Sequence, residues 1–177
     1  MTRGRYWLFL AITVLAPFLL LGGVELVLRA AWPGGAIPVF VPAPAAMGDY
    51  LLPNPELARR YFTIQEHPPA PLAEPFAAHK PAHAFRVFVL GASSAAGFPW
   101  PPTGTFSLLL QDVLRDVLPG DSVEVINLAI PATNTYAVLD QTDAVIAQHP
   151  DAVLIYAGHN EYYGALGVGS TESVGSS

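Results

Sequence analysis

Two adjacent serines follow a short apolar stretch in the middle of the chain. The sequence VFVLGASSAAG, residues 87–97, runs from four apolar residues into a turn of small residues that contains Ser93 and Ser94. A serine hydroxyl attacks a carbonyl carbon when a base removes its proton, and nearby N–H groups can stabilise the resulting oxyanion. The pattern predicts either acyl-transfer chemistry at this turn or two small residues that only let the chain change direction.

Three other interpretations of the turn fit the residues less well. A phosphate-binding P-loop would have lysine where this chain has Phe98, and a dinucleotide-binding loop would need alternating glycines. The Gly-x-Ser-x-Gly elbow of α/β-hydrolases would need glycine in place of Ala95, and it normally follows several earlier strands. These three ligand or enzyme classes are therefore disfavoured.

The elements around the serines alternate between strand and helix. Three apolar segments, FRVFVL, VEVINLA and AVLIYAG, predict strands, and the residues between them predict helices near 106–118 and 136–148. Apolar strands that alternate with helices form parallel sheets with right-handed crossovers. Ligands bind at the carboxyl ends of such strands, where this chain carries GASSAAG, NLAIPATNT and GHNEYYG. The sequence thus predicts a site at one edge of an α/β fold.

These three strand ends resemble the conserved blocks of the SGNH (GDSL-type) hydrolases. LGASSAAG is similar to the first block, Gly-Asp-Ser-Leu-Ser-x-Gly, with Gly91, Ser93 and Gly97 in register. NLAIPAT and GHNE are similar to the second and third blocks, and their matching residues are Asn127, Ala132, Gly158 and Asn160. The resemblance implies a three-layer α/β/α, flavodoxin-like parallel sheet.

The resemblance also implies roles for individual residues. Ser93 would be the nucleophile, and the oxyanion would accept hydrogen bonds from the N–H groups of Ser93 and Ala132 and from the Asn160 side chain. His159 and Trp100 are candidates for the rim of the site. The alternatives are a simple turn residue at Ser93 and a helix cap at Asn160.

The sequence departs from the family pattern at several positions. Ala92 replaces the family's aspartate, Ala129 and Ala132 replace glycines, and Glu161 replaces the aspartate that follows Asn160. The Asp-x-x-His block that supplies the family's base does not occur in these 177 residues. We therefore expect a sheet that is incomplete at its C-terminal end, and an N-terminal fragment that is inactive by itself.

The N-terminal region predicts a membrane anchor. Residues 6–24 carry no charge and would span about 28 Å as a helix, close to the thickness of a bilayer core. Arg3 and Arg5 precede this run, which favours a cytoplasmic N-terminus and an extracytoplasmic, periplasmic domain. A cleaved signal peptide is the alternative, although its apolar region is usually shorter.

Composition divides the chain into four predicted parts. Residues 1–32 form the cytoplasmic tip and transmembrane helix, and residues 33–84, with eleven of the 18 prolines, form an extended linker. Within that linker, residues 56–63 could form one or two helical turns whose aromatic rings dock on the domain. Residues 85–165 are the partial hydrolase domain, and residues 166–177 are a flexible tail rich in glycine and serine.

Composition also excludes several classes of function. The net charge is -6 and Arg59-Arg60 is the only basic cluster, so nucleic-acid binding is disfavoured. The absence of cysteine excludes disulfides, a thiolate nucleophile and cysteine-ligated zinc, and no cofactor or metal is predicted.

The apolar N-terminal run and the resemblance together imply a membrane-anchored serine esterase. Its substrate would be a small-molecule, lipid or carbohydrate ester. An envelope polysaccharide O-acyltransferase and a non-catalytic anchored binding module are the alternatives. Trp100 and the pair Tyr162-Tyr163 could line an acyl pocket or only cover the end of the sheet.

Overall fold

A computed structural model describes residues 3–31, 37–62, 66–100 and 102–170. The chain divides into two compact units, Met1–Ala36 and Ile37–Ser177. The predicted end of the anchor at residue 32 and the predicted tail at 171–177 lie outside the described residues. Residues 166–170 of that predicted tail form turns, in which Gly169 N donates to Tyr162 O at 2.9 Å.

The first unit is a single helix, α1, at Arg3–Ala31. An 18-residue window of this helix reaches a mean hydropathy of 2.3, and none of its residues is buried. Its length and composition are sufficient to cross a membrane, and a signal sequence near an N-terminus can have the same properties. Glu25 and Arg29, one helical turn apart, form an exposed ion pair at 2.6 Å.

The second unit begins with a small antiparallel sheet. Its strands are β1 at Phe40–Pro42, β2 at Tyr50–Pro53 and β3 at Phe76–Ala77, in the order β1-β2-β3. Short 3₁₀ helices occupy Ala45–Met47 and Leu57–Arg60. The second of these lies within residues 56–63, where the sequence predicts helical turns.

This region differs from the extended linker that its prolines predict. Leu57, Tyr61, Phe62 and Phe76 are each 3% exposed or less, and they pack in one core with Phe88 of the main sheet. The predicted docking of the aromatic rings is therefore confirmed. Proline is compatible with this structure because it is tolerated at strand ends and sheet edges, where no ladder hydrogen bond is lost.

The main sheet is parallel and three-stranded. It contains β4 at Ala84–Gly91, β5 at Ser122–Asn127 and β6 at Ala152–Tyr156, in the order β5-β4-β6. The helices are α2 at Ser93–Ala96, α3 at Phe106–Val117 and α4 at Thr135–Ile146. The predicted α/β class, the three strands and the two long helices are thus confirmed.

Two hydrophobic clusters lie on opposite faces of this sheet. Side chains alternate along a strand, so Val87 and Val89 belong to one cluster with α3, whereas Phe88 and Leu90 belong to the other with α4 and the 3₁₀ segment. β4 is therefore buried on both faces, as is usual for a central parallel strand. In contrast, β6 hydrogen-bonds only to β4 in the described part of the chain, and most of its side chains are exposed.

Candidate active site

The candidate site lies where β4, β5 and β6 end. The backbone of Gly91, the last residue of β4, has φ 148°, and a Cβ at this position would lie 2.1 Å from the carbonyl oxygen of Tyr156. Only glycine fits this close approach of β4 to β6. Ala92 N then donates to Tyr156 O at 3.4 Å, which fixes the start of the turn that carries the serines.

Ser93 is the first residue of α2 and is partly buried. Its hydroxyl has no hydrogen-bond partner among residues 3–31, 37–62, 66–100 and 102–170, and the first N–H groups of a helix have no acceptor within the helix. Its carbonyl oxygen accepts from Phe98 N at 2.9 Å, because Gly97, with φ 85°, turns the chain back. Ser93 therefore offers both a free hydroxyl and a free N–H.

Asn127 connects the elements that carry Ser93. Its side-chain amide is fully buried and donates to Ala95 O at 2.8 Å and to Ser107 Oγ at 3.1 Å. Its side-chain oxygen accepts from Ala129 N at 3.0 Å. The residue that matches the asparagine of the second block thus holds the end of β5 against α2 and α3.

Ala132 has a strained backbone for a residue with a side chain. Its φ is 61°, in the left-handed region, which costs a non-glycine residue roughly 1–2 kcal/mol. Its carbonyl oxygen accepts from Ala165 N at 2.9 Å, whereas its N–H makes no hydrogen bond within the part of the chain that the structure describes. The N–H of Ala132 is therefore available to a ligand.

Asn160 lies next to this loop. Its side-chain amide donates to Thr133 O at 3.0 Å, and an amide carries a second N–H that can donate elsewhere. Asn160 is in a turn with no helix after it among the described residues, so the structure does not assign it the alternative role of a helix cap. The hydrogen bond brings two of the predicted oxyanion-hole loops together.

Glu161 has a structural role at the start of α4. Its carboxylate accepts from Thr135 Oγ1 at 2.7 Å and from Thr135 N at 3.3 Å, so it caps the start of α4. Asn134 also caps this helix by accepting from Tyr136 N at 3.1 Å. Negative charge is favourable at a helix N-terminus, and the cap ties the loop after β6 to α4.

The two rim candidates are both exposed. The ring of His159 stands edge-on to Tyr156 with 5.4 Å between centroids, and its nitrogens make no hydrogen bond or ion pair among the described residues. Trp100 is 71% exposed. His79 and His149 line a hollow with Arg86, about 16 Å back along β4 from Gly91. No hydrogen bond joins Ser93 to a histidine in the described ranges.

Glu74 is a site-positioning residue that the sequence did not reveal. One carboxylate oxygen accepts from Asn127 N at 2.8 Å, and the other is buried without a hydrogen-bond partner in the described part of the chain. Burial raises the pKa of this carboxyl above its usual value of 4.5. A single acid within the apolar sequence PLAEPF was the only available signal.

Replacing Glu74 with glutamine should stabilise the protein at neutral pH. The raised pKa means that the folded state favours the uncharged carboxyl. The stabilisation contributed by the Glu74 carboxyl is therefore complete below about pH 4.5, and it is lost as the pH rises through the pKa of Glu74 in the folded protein. Glutamine keeps an acceptor for Asn127 N without a charge. The midpoint of thermal unfolding, measured at several pH values, should be higher for Glu74→Gln at pH 7 and equal to wild type in acid. A less stable variant at pH 7 would contradict this prediction.

Comparison with known proteins adds no assignment. No model of a known protein family matches the chain, and none of the curated proteins matches it significantly.

Proposed function

We propose that the chain carries the nucleophile and oxyanion hole of an SGNH-type serine esterase, anchored in a membrane by α1. The observation that carries this proposal is the backbone of Ala132. Ala132 has a left-handed conformation and a free N–H, and glycine, which the family has at this position, can adopt such a conformation without strain. Strain of this kind persists where the surrounding structure enforces it and is common at functional sites.

Two further features support the proposal. The strand order β5-β4-β6 corresponds to the order 2-1-3 that begins a flavodoxin-like sheet. Ser93, Ala132 and Asn160 follow three different strands of that sheet, and a hydrogen bond from Asn160 to Thr133 joins the loops of Asn160 and Ala132.

The reaction would be acyl transfer through a covalent intermediate. Ser93 Oγ forms a bond to the ester carbonyl carbon and its proton passes to a base. The carbonyl oxygen becomes an oxyanion that accepts hydrogen bonds from the N–H groups of Ser93 and Ala132 and from the second N–H of Asn160. The alcohol leaves with a proton, and water then cleaves the acyl-serine bond. The acid is released and the serine regains its proton.

The base is the component that the residues near Ser93 do not supply. His159 belongs to the loop of Asn160 but has no carboxylate partner in the described ranges to orient it. The Asp-x-x-His block of the family is absent from the 177 residues. The proposal therefore requires a base from outside this sequence or from solution.

Labelling by a fluorophosphonate should identify the nucleophile. In the full chain in detergent, Ser93 should be labelled slowly, and added imidazole should accelerate the reaction because it replaces the missing base. Ser93→Ala should abolish labelling, and Ser94→Ala, the matched control, should retain it. Mass spectrometry of the labelled peptide gives the site and the rate. Equal labelling of wild type and Ser93→Ala, or labelling at Ser94, would contradict the proposal.

A further inference from the structure

Small, aliphatic and aromatic side chains line a groove beside Ser93. We infer that it binds the acyl chain of the substrate, with room for roughly four to six carbons; this inference rests on the proposed esterase function. Its volume is about 120 Å³. Apolar cavities of about 150 Å³ accept a six-carbon ring, which sets the size of chain that fits. The lining residues are Ala70, Leu72, Ala96, Phe98, Trp100, Ala129 and Pro131.

The groove is continuous with the proposed catalytic residues. Ala96 lies three residues after Ser93 on α2, and residues at this spacing share one face of a helix. Pro131 directly precedes Ala132, whose N–H is the proposed oxyanion donor. An acyl group bonded to Ser93 Oγ would therefore begin at one end of this groove.

Hydrogen bonds hold the aromatic wall in place. Phe98 N donates to Ser93 O and Trp100 N donates to Gly97 O, both at 2.9 Å. Gly97 packs closely against Thr105. A side chain at this position would not fit, since a Cβ at Gly97 would lie 2.5 Å from Thr105 Cγ2. The aromatic side chains are thus positioned by the same turn that positions the nucleophile.

The opposite wall comes from the proline-rich region. Glu74 N donates to Leu72 O at 3.0 Å, and the Glu74 carboxylate binds the backbone of Asn127 at the end of β5. This arrangement fixes Ala70 and Leu72 beside the loop that follows β5. The groove is therefore formed before any substrate binds, as is usual for small-molecule sites.

The chemistry of the wall selects a hydrocarbon. Six of the seven lining residues have side chains with neither charge nor hydrogen-bonding group, and the seventh, Trp100, adds only its indole N–H donor. Phe98 and Trp100 are 67% and 71% exposed, so a bound chain would remove large aromatic surfaces from water. A charged group in this groove would lose water without meeting a charged side chain among the lining residues.

A series of alkyl fluorophosphonates tests the groove during reaction at Ser93. The alkyl group on phosphorus takes the place of the acyl chain. The labelling rate should rise about fourfold per methylene and level off at about six carbons. Ala70→Leu, which narrows the groove at an exposed position, and Trp100→Ala, which removes a wall, should flatten this rise, so that long probes lose their advantage over the methyl probe. Tyr163 is an exposed aromatic residue that is not among those lining the groove, so Tyr163→Ala is the matched control and should keep the wild-type profile.

A fluorescence titration measures ligand binding in the groove without any reaction at Ser93. In a Trp7→Phe/Trp32→Phe background Trp100 is the only tryptophan. Hexanoate should change its emission with at least tenfold higher affinity than acetate, and Ala70→Leu should remove this preference. Ser93-dependent labelling with no chain-length preference would overturn the groove alone. Absence of Ser93-dependent labelling by every probe would overturn the esterase proposal and its acyl site, even if hexanoate still binds near Trp100.

Discussion

Replacing Arg86 with methionine is expected to lower the free energy of unfolding by about 3–5 kcal/mol, the usual cost of leaving a buried charge without its partner. Arg86 is completely buried although it carries a full charge. It donates to Glu124 at 2.7 Å and to the carbonyl oxygens of Ala77 and Gln148 at 2.7 and 2.9 Å. Its guanidinium also lies 5.0 Å from the centre of the Phe76 ring. The variant leaves a carboxylate and two carbonyl oxygens without these donors.

Urea unfolding of the full chain in detergent, followed by near-ultraviolet circular dichroism, measures this loss. Arg115→Met is the matched control because Arg115 forms an exposed ion pair with Asp112 at 3.6 Å, and such pairs contribute about 1 kcal/mol or less. Removing both charges in Arg86→Met/Glu124→Met should recover part of the stability. Equal effects of the Arg86 and Arg115 variants would show that the buried ion pair does not hold this region together.

Replacing Gly91 with alanine should be similarly damaging, with a loss of about 3 kcal/mol or more. The new Cβ would lie 2.1 Å from Tyr156 O, a backbone atom that cannot rotate away. The φ of 148° at this position adds backbone strain. The clash with Tyr156 O can be relieved only if β6 moves away from β4 at residue 91, two residues before Ser93. We therefore expect the variant to lose fluorophosphonate labelling as well as stability.

Gly120→Ala provides the control for Gly91→Ala. A Cβ at Gly120 meets no atom within 4 Å, so this substitution should change the free energy of unfolding by less than about 1 kcal/mol. Both variants remove one glycine from the unfolded chain, and this shared effect cancels in the comparison. A Gly91→Ala protein with wild-type stability and labelling would contradict the assigned approach of β4 to β6.

The sequence predicted the elements of the main sheet because their signals are local. Four apolar residues before Gly91 indicate a buried strand, and His149-Pro150 ends the helix that precedes β6. The spacing of Gly91, Ser93 and Gly97 distinguishes the two serines only through the resemblance, and in the structure Ser93 is the first residue of α2. Each of these signals lies within about ten residues of the feature that it predicts.

The remaining features depend on contacts between distant residues. The proline-rich region folds because Tyr61 and Phe76 reach the core beneath α4, and proline content does not encode this contact. Arg86 pairs with Glu124, 38 residues away, and Glu74 binds the backbone of Asn127, 53 residues away. No pattern among neighbouring residues in the sequence predicts these pairs.

The backbone of Ala132 illustrates the same limit within the candidate site. Alanine favours right-handed conformations, so its residue type predicts the opposite of the observed φ of 61°. The hydrogen bond from Ala165 N to its carbonyl oxygen and the packing of Gly164 against that oxygen come from a loop 32 residues later in the chain. The resemblance to a glycine-containing block marked the position, and tertiary contacts set its conformation.

The three strands that carry the site differ in how firmly they are held. β4 has a partner on each side, whereas β6 pairs with β4 alone in the described ranges and exposes Ile155 and Tyr156 to solvent. Local opening requires the least free energy where buried apolar contacts are fewest. Fraying of β6 would displace Asn160, which follows this strand. Ser93 and Ala132 would keep their positions because they follow β4 and β5, which are better packed. In the proposed oxyanion hole, two donors would follow well-packed strands, and the position of the third, Asn160, would depend on the strand with the fewest buried contacts.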